Sequence, residues 1–369
     1  MTAAGGVRIV VAGGGTAGHV YPTLAVAREL QTLRPDVTVT YIGQTGGPER
    51  DLVAAAPLVS PIEFVGITAE KLRRYFSMQS LLLPVSVLRG TVQSIQALRR
   101  IRPATVFCKG GYVCLPVAFA AWWLGIPIVL HETDASMGLA NRLIAPFASK
   151  IAVSFPRPTF LTQRTDRKIV FTGQPVRAEF FAPRRAGARA HERPVVMVTG
   201  SMQGAHAINE LIQAILPALL ERYRVLHITG PNDFEALRSS TKSQYYEPVP
   251  YTATIYDLLV QADVIVSRAG GTIFELAALA KPSILIPLPS AANDHQRENA
   301  AMFAEHDAAV VLEQVGLTGA VLAQTIAALI RDSKRRSVLS ANIKRFARKD
   351  AAVQIAKLLL DEAARKAAA

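Results

Sequence analysis

The sequence predicts an α/β protein made of two doubly wound, parallel-sheet domains. Short apolar runs alternate with helical patterns along most of the chain, the signature of βαβ units around a parallel sheet. The alternation restarts at Pro194 with the same strand, small-residue turn and helix that open the chain. The length of 369 residues, half of them hydrophobic and 19% charged, suits two domains of ordinary size with sizeable cores.

The elements follow in order. VRIVVAG, residues 7–13, reads as the first strand. YPTLAVARELQTL, residues 21–33, reads as a helix, with Val20, Leu24, Ala27 and Leu30 on one face at helical spacing. VTVTYIGQ, PATVFCKGG, IPIVLHE and KIAVSF supply further strands. Gly110 to Leu130 carries no charge and is long enough to span a bilayer. Pro116, Gly125 and Pro127 interrupt it, so it reads as a helix followed by a buried strand rather than a membrane span. In the second half, PVVMVTG is a strand, SMQGAH a turn and AINELIQAILPALL a helix; YRVLHITG, ADVIVSRAGG and PSILIPLP are further strands. Arg184 to Pro194 is basic and unpatterned, as a linker would be, and residues 333–369 read as one or two helices with basic faces.

Composition narrows the function. Lys and Arg outnumber Asp and Glu by 41 to 28, giving a net charge of +13. That balance favours anionic partners, whether nucleic acid, acidic lipid or phosphorylated substrates. Base-stacking aromatics are not interleaved with the basic runs, so nucleic acid is not expected. Only two cysteines occur, Cys108 and Cys114, which fits a reducing cytosol. The first residues lack the basic and apolar regions of a signal peptide.

Chemistry gathers at two stretches. Gly13, Gly14, Gly15 and Gly18 crowd the turn after the first strand, and His19 follows at once. Glycines there let backbone N–H groups approach an anion, and the helix start adds a favourable dipole. The turn therefore reads as a phosphate cradle carrying a proton acceptor. Gly13, Gly15 and Gly18 also satisfy G-x-G-x-x-G, which keeps a nicotinamide-dependent oxidoreductase as an alternative. The second strand ends TYIGQ without the acidic residue that a dinucleotide site needs. In the second stretch, Glu275 falls in the first turn of a helix after Gly270 and Gly271. Asn293, Asp294, His295, Gln296 and Asn299 fall in one polar loop after the next strand, where α/β sheets bind ligands. No D-x-D motif and no His/Cys cluster with metal spacing is present.

Four stretches in order, GGGTAGHVYPTLAVA, GIPIVLHETDASMGLANRLIA, FTGQPVR and SRAGGTIFELAALAKPSILIPLPSAANDHQRENA, make the chain closely resemble glycosyltransferase family 28. Within it, the resemblance is to the enzymes that form lipid II in peptidoglycan synthesis, and it spans nearly the whole length. It implies a GT-B architecture, with two Rossmann-like domains facing across a cleft. It implies inverting transfer of N-acetylglucosamine from UDP-GlcNAc to the C4 hydroxyl of lipid I, with neither cofactor nor obligatory metal. A GT-B enzyme acting on a different lipid or small acceptor is the alternative within the class.

By the same resemblance, His19 matches the general base, and Thr16, Ala17 and Gly18 match the glycine loop beside the sugar nucleotide. Arg177 matches an arginine near the donor diphosphate, Glu275 the ribose-binding carboxylate, and Gln296 a glutamine reading the sugar hydroxyls. Thr252 falls where backbone atoms read the uracil edge, and Gly271 and Thr272 take the positions ahead of Glu275. Either Ser201 or Met202 takes the place of a diphosphate-binding serine. Where the family often has His-Glu-Gln-Asn, this chain has His131, Glu132, Thr133 and Asp134, so a carboxylate stands where a sugar-bonding amide is usual.

Residues 1–175 are expected as the acceptor domain, with the helix 346–369 packing back on it, and residues 176–345 as the UDP-sugar domain. In Lys71 to Gly90, Lys71, Arg73 and Arg74 precede Phe76, Leu81, Leu82 and Leu83, a pairing suited to docking on anionic lipid. The expected location is the cytoplasmic face of the cell membrane, held peripherally, with cell-wall and division proteins as candidate partners.

Overall fold

The computed structural model describes residues 6–15, 17–70, 83–156, 158, 166–182, 192–200, 204–252 and 254–368. The chain divides into two compact units, Met1–Arg177 with Arg348–Ala369, and Ala178–Ala347.

The first unit runs β1 (Arg8–Ala12), α1 (Ala17–Leu33), β2 (Thr38–Gln44), α2 (Glu49–Ala54), β3 (Glu63–Ile67), α3 (Leu83–Ile101), β4 (Thr105–Cys108), α4 (Cys114–Trp123), β5 (Ile128–Glu132), α5 (Leu139–Ile144), β6 (Lys150–Val153) and β7 (Ile169–Phe171). The strands form one parallel sheet in the order β3-β2-β1-β4-β5-β6-β7. Side chains alternate between two cores, as the two-residue period of a strand requires. Val10, Ala12, Val106, Cys108, Ile128 and Leu130 pack with Leu98 of α3 and Val117 of α4. Ile9, Val11, Tyr41, Phe107 and Val129 pack on the other face with Leu24 and Leu30 of α1, and with Ile355 and Leu359 of the terminal helix Ala351–Ala368. Burial on both faces explains why these strands read as continuous apolar runs. The uncharged stretch from Gly110 forms α4 and β5, buried in this interior except at the end of α4, where Trp122 and Trp123 are exposed. No described helix is long and apolar enough to cross a membrane.

The second unit runs β8 (Val195–Thr199), α6 (His206–Leu220), β9 (Arg224–Ile228), α7 (Phe234–Ser240), β10 (Tyr246–Val249), α8 (Ile255–Leu259), β11 (Val264–Ser267), α9 (Thr272–Ala278), β12 (Ser283–Leu285), α10 (His295–Glu305), β13 (Val310–Val311), α11 (Gly319–Arg331) and α12 (Ser333–Ile343). Its parallel sheet has the order β10-β9-β8-β11-β12-β13. Strand order reverses between β1 and β4 in one unit and between β8 and β11 in the other. In doubly wound sheets that crevice, at the carboxyl ends of the strands, is where ligands sit.

Three local readings change. The first helix starts at Ala17 rather than Tyr21 and contains Pro22. Proline removes only the bond back to Gly18 in the opening turn, and Thr23 Oγ1 donates to the His19 carbonyl at 2.7 Å, reinforcing the next one. The polar loop NDHQREN is largely the start of α10. Asn293 and Asp294 take left-handed conformations, with φ of 52° and 54°, a backbone state these short polar residues tolerate, and the helix begins at His295. Strands β3, β7, β10 and β13 are not among the runs recognised from sequence. All four are sheet edges, and their residues are mostly half-buried rather than buried throughout.

Candidate active site

The glycine turn of the first unit is clamped from both ends. Tyr41, fully buried on β2, donates its hydroxyl to the Gly13 carbonyl. The Gly15 N–H donates to Glu49 Oε1 at 2.7 Å. Gly15 has φ of +89°, and a Cβ there would lie 2.5 Å from the Tyr112 ring, so only glycine fits. The Tyr112 hydroxyl in turn donates to Gln44 at 2.7 Å. The sequence reads this turn as a phosphate cradle. In the structure the N–H of Gly15 is already committed to an internal carboxylate.

His19 stands in the first turn of α1, half-buried, with its ring beside Gly111. A Cβ on Gly111 would lie 3.3 Å from its Cδ2. Gly18 is exposed beside it, Thr16 lies outside the described residues, and Ala17 opens the helix.

Behind His19, at the ends of β4 and β5, lies a buried polar cluster. Lys109 is 1% exposed and donates to the Thr133 hydroxyl. Glu132 accepts from the N–H groups of Asp134 and Gly138, both at 3.0 Å, and from Asn141 at 2.8 Å. Burial lowers Lys109 to about 8, against the opposing pull of the Glu132 and Asp134 carboxylates. Burial, with the Asp134 charge, pushes Glu132 up to about 7. His131, fully buried, lies 3.1 Å from the Gly173 carbonyl through Nε2, which makes Nε2 the protonated nitrogen. Burial and the Lys109 charge hold its pKa well below the ordinary value. It is a neutral structural imidazole, and His19 is left as the histidine on the open side of this cluster. Asp134 is half-buried at the edge of the cluster. Arg177 places its guanidinium 4.7 Å from the ring centroid of Tyr21, on the same helix turn region as His19.

In the second unit, β11 ends at Ser267 and leads through Gly270 and Gly271 into α9. Thr272 is the first residue of that helix and Glu275 stands in its first turn, half-buried. Gln296 accepts the Leu288 N–H at 3.0 Å, and its Nε2 would lie 3.9 Å from a Cβ on Gly270. The fold therefore brings Gln296 to the glycine pair ahead of Glu275. Asn299 turns inward and donates to the Ala269 carbonyl at 2.9 Å, so its role is to hold the glycine turn. Thr252 Oγ1 accepts the Thr254 N–H at 3.1 Å, capping a local turn. Ser201 and Met202 lie outside the described residues, as do Lys71, Arg73, Arg74, Phe76, Leu81 and Leu82, and the Leu83 side chain.

Sequence reasoning missed Arg268 and Glu49. Arg268 is 7% exposed and donates to the Ile286 carbonyl at 3.0 Å; burial lowers it to about 10. It ties the end of β11 to the chain after β12. Its signal was a lone charge between an apolar strand and two glycines. The signal for Glu49 was Gly43, Gly46 and Gly47 crowding ahead of an acidic helix start. Among the described residues no group of three or more His, Cys, Asp or Glu could hold a metal ion.

The chain matches the family model of the glycosyltransferase family 28 N-terminal domain over residues 9–153. It matches that of the C-terminal domain over residues 195–355. A relative from Listeria welshimeri is 33% identical over 364 residues, spanning 96% of this chain and 99% of its own. A relative from Desulforudis audaxviator is 36% identical over 348 residues, spanning 90% and 92%. Both are UDP-N-acetylglucosamine–N-acetylmuramyl-(pentapeptide) pyrophosphoryl-undecaprenol N-acetylglucosamine transferases. The crystal structure of Acinetobacter baumannii MurG is similar with a TM-score of 0.75 and 25% identity, covering 96% of this chain and 99% of that one.

Proposed function

Because the chain belongs to glycosyltransferase family 28, we propose that it transfers N-acetylglucosamine from UDP-GlcNAc to lipid I, forming lipid II in peptidoglycan synthesis. Its two Rossmann-like parallel-sheet units are those of a GT-B glycosyltransferase. The observation that carries the reading is agreement with such transferases over 96% of the chain, together with a histidine set on a glycine turn at the switch point of the first sheet.

The reaction is a single displacement with inversion. The C4 hydroxyl of the acceptor sugar attacks the anomeric carbon of the donor. The new C–O bond forms as the bond to the diphosphate oxygen breaks, and UDP departs. His19 Nε2 or Nδ1 takes the hydroxyl proton, the role of a general base. Arg177 meets the diphosphate charge that develops, with either Ser201 or Met202 in the place of the diphosphate-binding serine and Thr16, Ala17 and Gly18 beside the sugar nucleotide. Glu275 accepts from the ribose diol, Gln296 reads the sugar hydroxyls with Gly271 and Thr272 beside it, and the Thr252 backbone reads the uracil edge. Asp134 accepts from a sugar hydroxyl.

The acceptor carries a polyprenyl chain, so the enzyme works at the cytoplasmic membrane face, with Lys71 to Gly90 docking on anionic lipid. The helices α3 and α4 support this reading. Between them lies a groove of about 560 Å³ lined by Val87, Leu88, Ile95, Phe119, Trp122 and Trp123. Leu88 is 66% exposed and Trp123 69%. An exposed apolar face of this kind fits a headgroup boundary.

Incubation with UDP-GlcNAc and lipid I should yield a product heavier by one N-acetylhexosamine residue, with UDP released. Transfer to another acceptor, with lipid I untouched, would give the same-class alternative. Retention on NAD resin rather than UDP resin would give the oxidoreductase.

A further inference from the structure

The most unusual group near the first glycine turn is Glu49. It opens α2 and is 0% exposed. One carboxylate oxygen holds the Gly15 N–H at 2.7 Å, and the other has no hydrogen-bond partner. Room for it is made by missing side chains. A Cβ on Gly14 would lie 2.4 Å from Oε1, and a Cβ on Gly47 would lie 2.0 Å from Oε2. A carboxylate buried with a bare oxygen is costly to keep, and the protein keeps two glycines bare to admit it. Its accepting oxygen sits where a glycine turn at a helix start would otherwise present an N–H to a phosphate.

We infer that Glu49 is a positioning residue for the transfer reaction: it is the resident anion of the first glycine turn, and by fixing Gly15 it sets where His19 stands. The path is short. Gly15 is the pivot between β1 and α1, held in the left-handed region by the turn. Tyr41 fixes the turn's other end at Gly13. The His19 ring then lies against Gly111, which itself approaches the Gly14 carbonyl so closely that a Cβ would be 2.7 Å away. With both ends tied, the turn has one geometry, and so does the first turn of α1. The inference rests on the glycosyl-transfer reading.

The test measures turnover of UDP-GlcNAc with lipid I against pH for wild type, Glu49→Ala and Glu49→Gln in the full chain. Wild-type turnover comes first, so a failure of the functional reading shows there, before any variant is compared. Glutamine can still accept from Gly15 through its amide oxygen, whereas alanine cannot. Glu49→Ala should lose about 10- to 100-fold in kcat, the scale of a misplaced catalytic group. It should also flatten the acid limb that a general base gives the pH–rate profile. Glu49→Gln should keep the shape of that limb and recover most of the rate. Donor affinity by calorimetry should be unchanged in both. An Ala profile that superimposes on wild type after scaling would mean fewer folded molecules rather than a displaced base, and would overturn the inference. So would equal losses in Ala and Gln, or an unaltered kcat in Ala.

Discussion

The guanidinium of Arg177 stacks on Tyr21, 4.7 Å from its ring centroid, and Tyr21 follows His19 by two residues. The pairing joins the residue at the end of FTGQPVR to the helix that carries the proposed base. A planar guanidinium stacks and forks in a way an ammonium does not. Arg177→Lys should therefore lower kcat/KM although the charge is kept. A cation–π contact of this kind is worth about 0.5–2 kcal/mol, roughly a two- to thirty-fold loss by steady-state kinetics. An unchanged kcat/KM would leave Arg177 as a point charge only.

His19→Ala should reduce kcat by about 10² to 10⁴ while leaving donor affinity intact, the pattern of a removed general base. Burst-free turnover and calorimetry with UDP-GlcNAc separate the two quantities. A loss below about tenfold would reduce His19 to a helix-start residue.

Glu275→Ala should weaken UDP-GlcNAc binding. Losing a charge-assisted hydrogen bond costs about 1.5–3 kcal/mol, or roughly ten- to a hundred-fold in Kd. UDP-GlcNAc and its 2′-deoxyribose analogue, titrated into wild type and variant, should differ far less in the variant. If the variant still prefers the ribose form, Glu275 does not read the diol.

The Glu132 cluster gives a pH prediction. Burial raises its carboxyl from 4.5 to about 7, so the folded chain holds this proton more tightly than the unfolded chain does. Its stabilising contribution is full below pH 4.5 and is lost as pH rises through about 7. The Tm difference between wild type and Glu132→Gln should therefore shift against wild type over that window. Lys109 acts at the alkaline end. Its folded value of about 8 lies under 10.5, so its contribution is full above 10.5 and is lost as pH falls to about 8. A Tm difference that moves in wild type's favour between pH 4.5 and 7 would reverse the sign assigned to Glu132.

Trp123→Ala combined with Leu88→Ala should release the protein from vesicles rich in phosphatidylglycerol. Burying one large apolar side chain contributes about 1.5–3 kcal/mol, so co-sedimentation should fall at least roughly tenfold. Turnover with a water-soluble, short-chain acceptor should hold. Equal loss on soluble and vesicle-bound acceptor would place the groove in acceptor binding instead of docking.

Much of this was legible in the chain itself. The period-two and period-3.6 patterns encode which face of each element is buried, so the parallel two-unit architecture follows from local sequence. The same holds for candidate residues inside a contiguous motif: the places of His19 in the first turn of α1 and of Glu275 in the first turn of α9 follow from the glycines ahead of them. Short half-buried edge strands such as β3 and β13 escaped because they bury too little to leave a pattern. The αL pair at Asn293 and Asp294 escaped because it is a backbone state that the side chains permit without demanding it.

What only the tertiary structure decided are the partnerships across the sheet order. Glu49 reaches Gly15 over 34 residues because β2 lies beside β1. Lys109 meets Thr133, beside Glu132, because β4 lies beside β5. The terminal helix returns to α1 because both need the same apolar face of one sheet. A local pattern records how much of a residue is hidden. It does not record from what, since strand order and register bring the partner, and with it the charge, the hydrogen bond and the displaced pKa. That is why the sequence displays the glycines of the first turn but not the carboxylate that holds Gly15, which comes from 34 residues away.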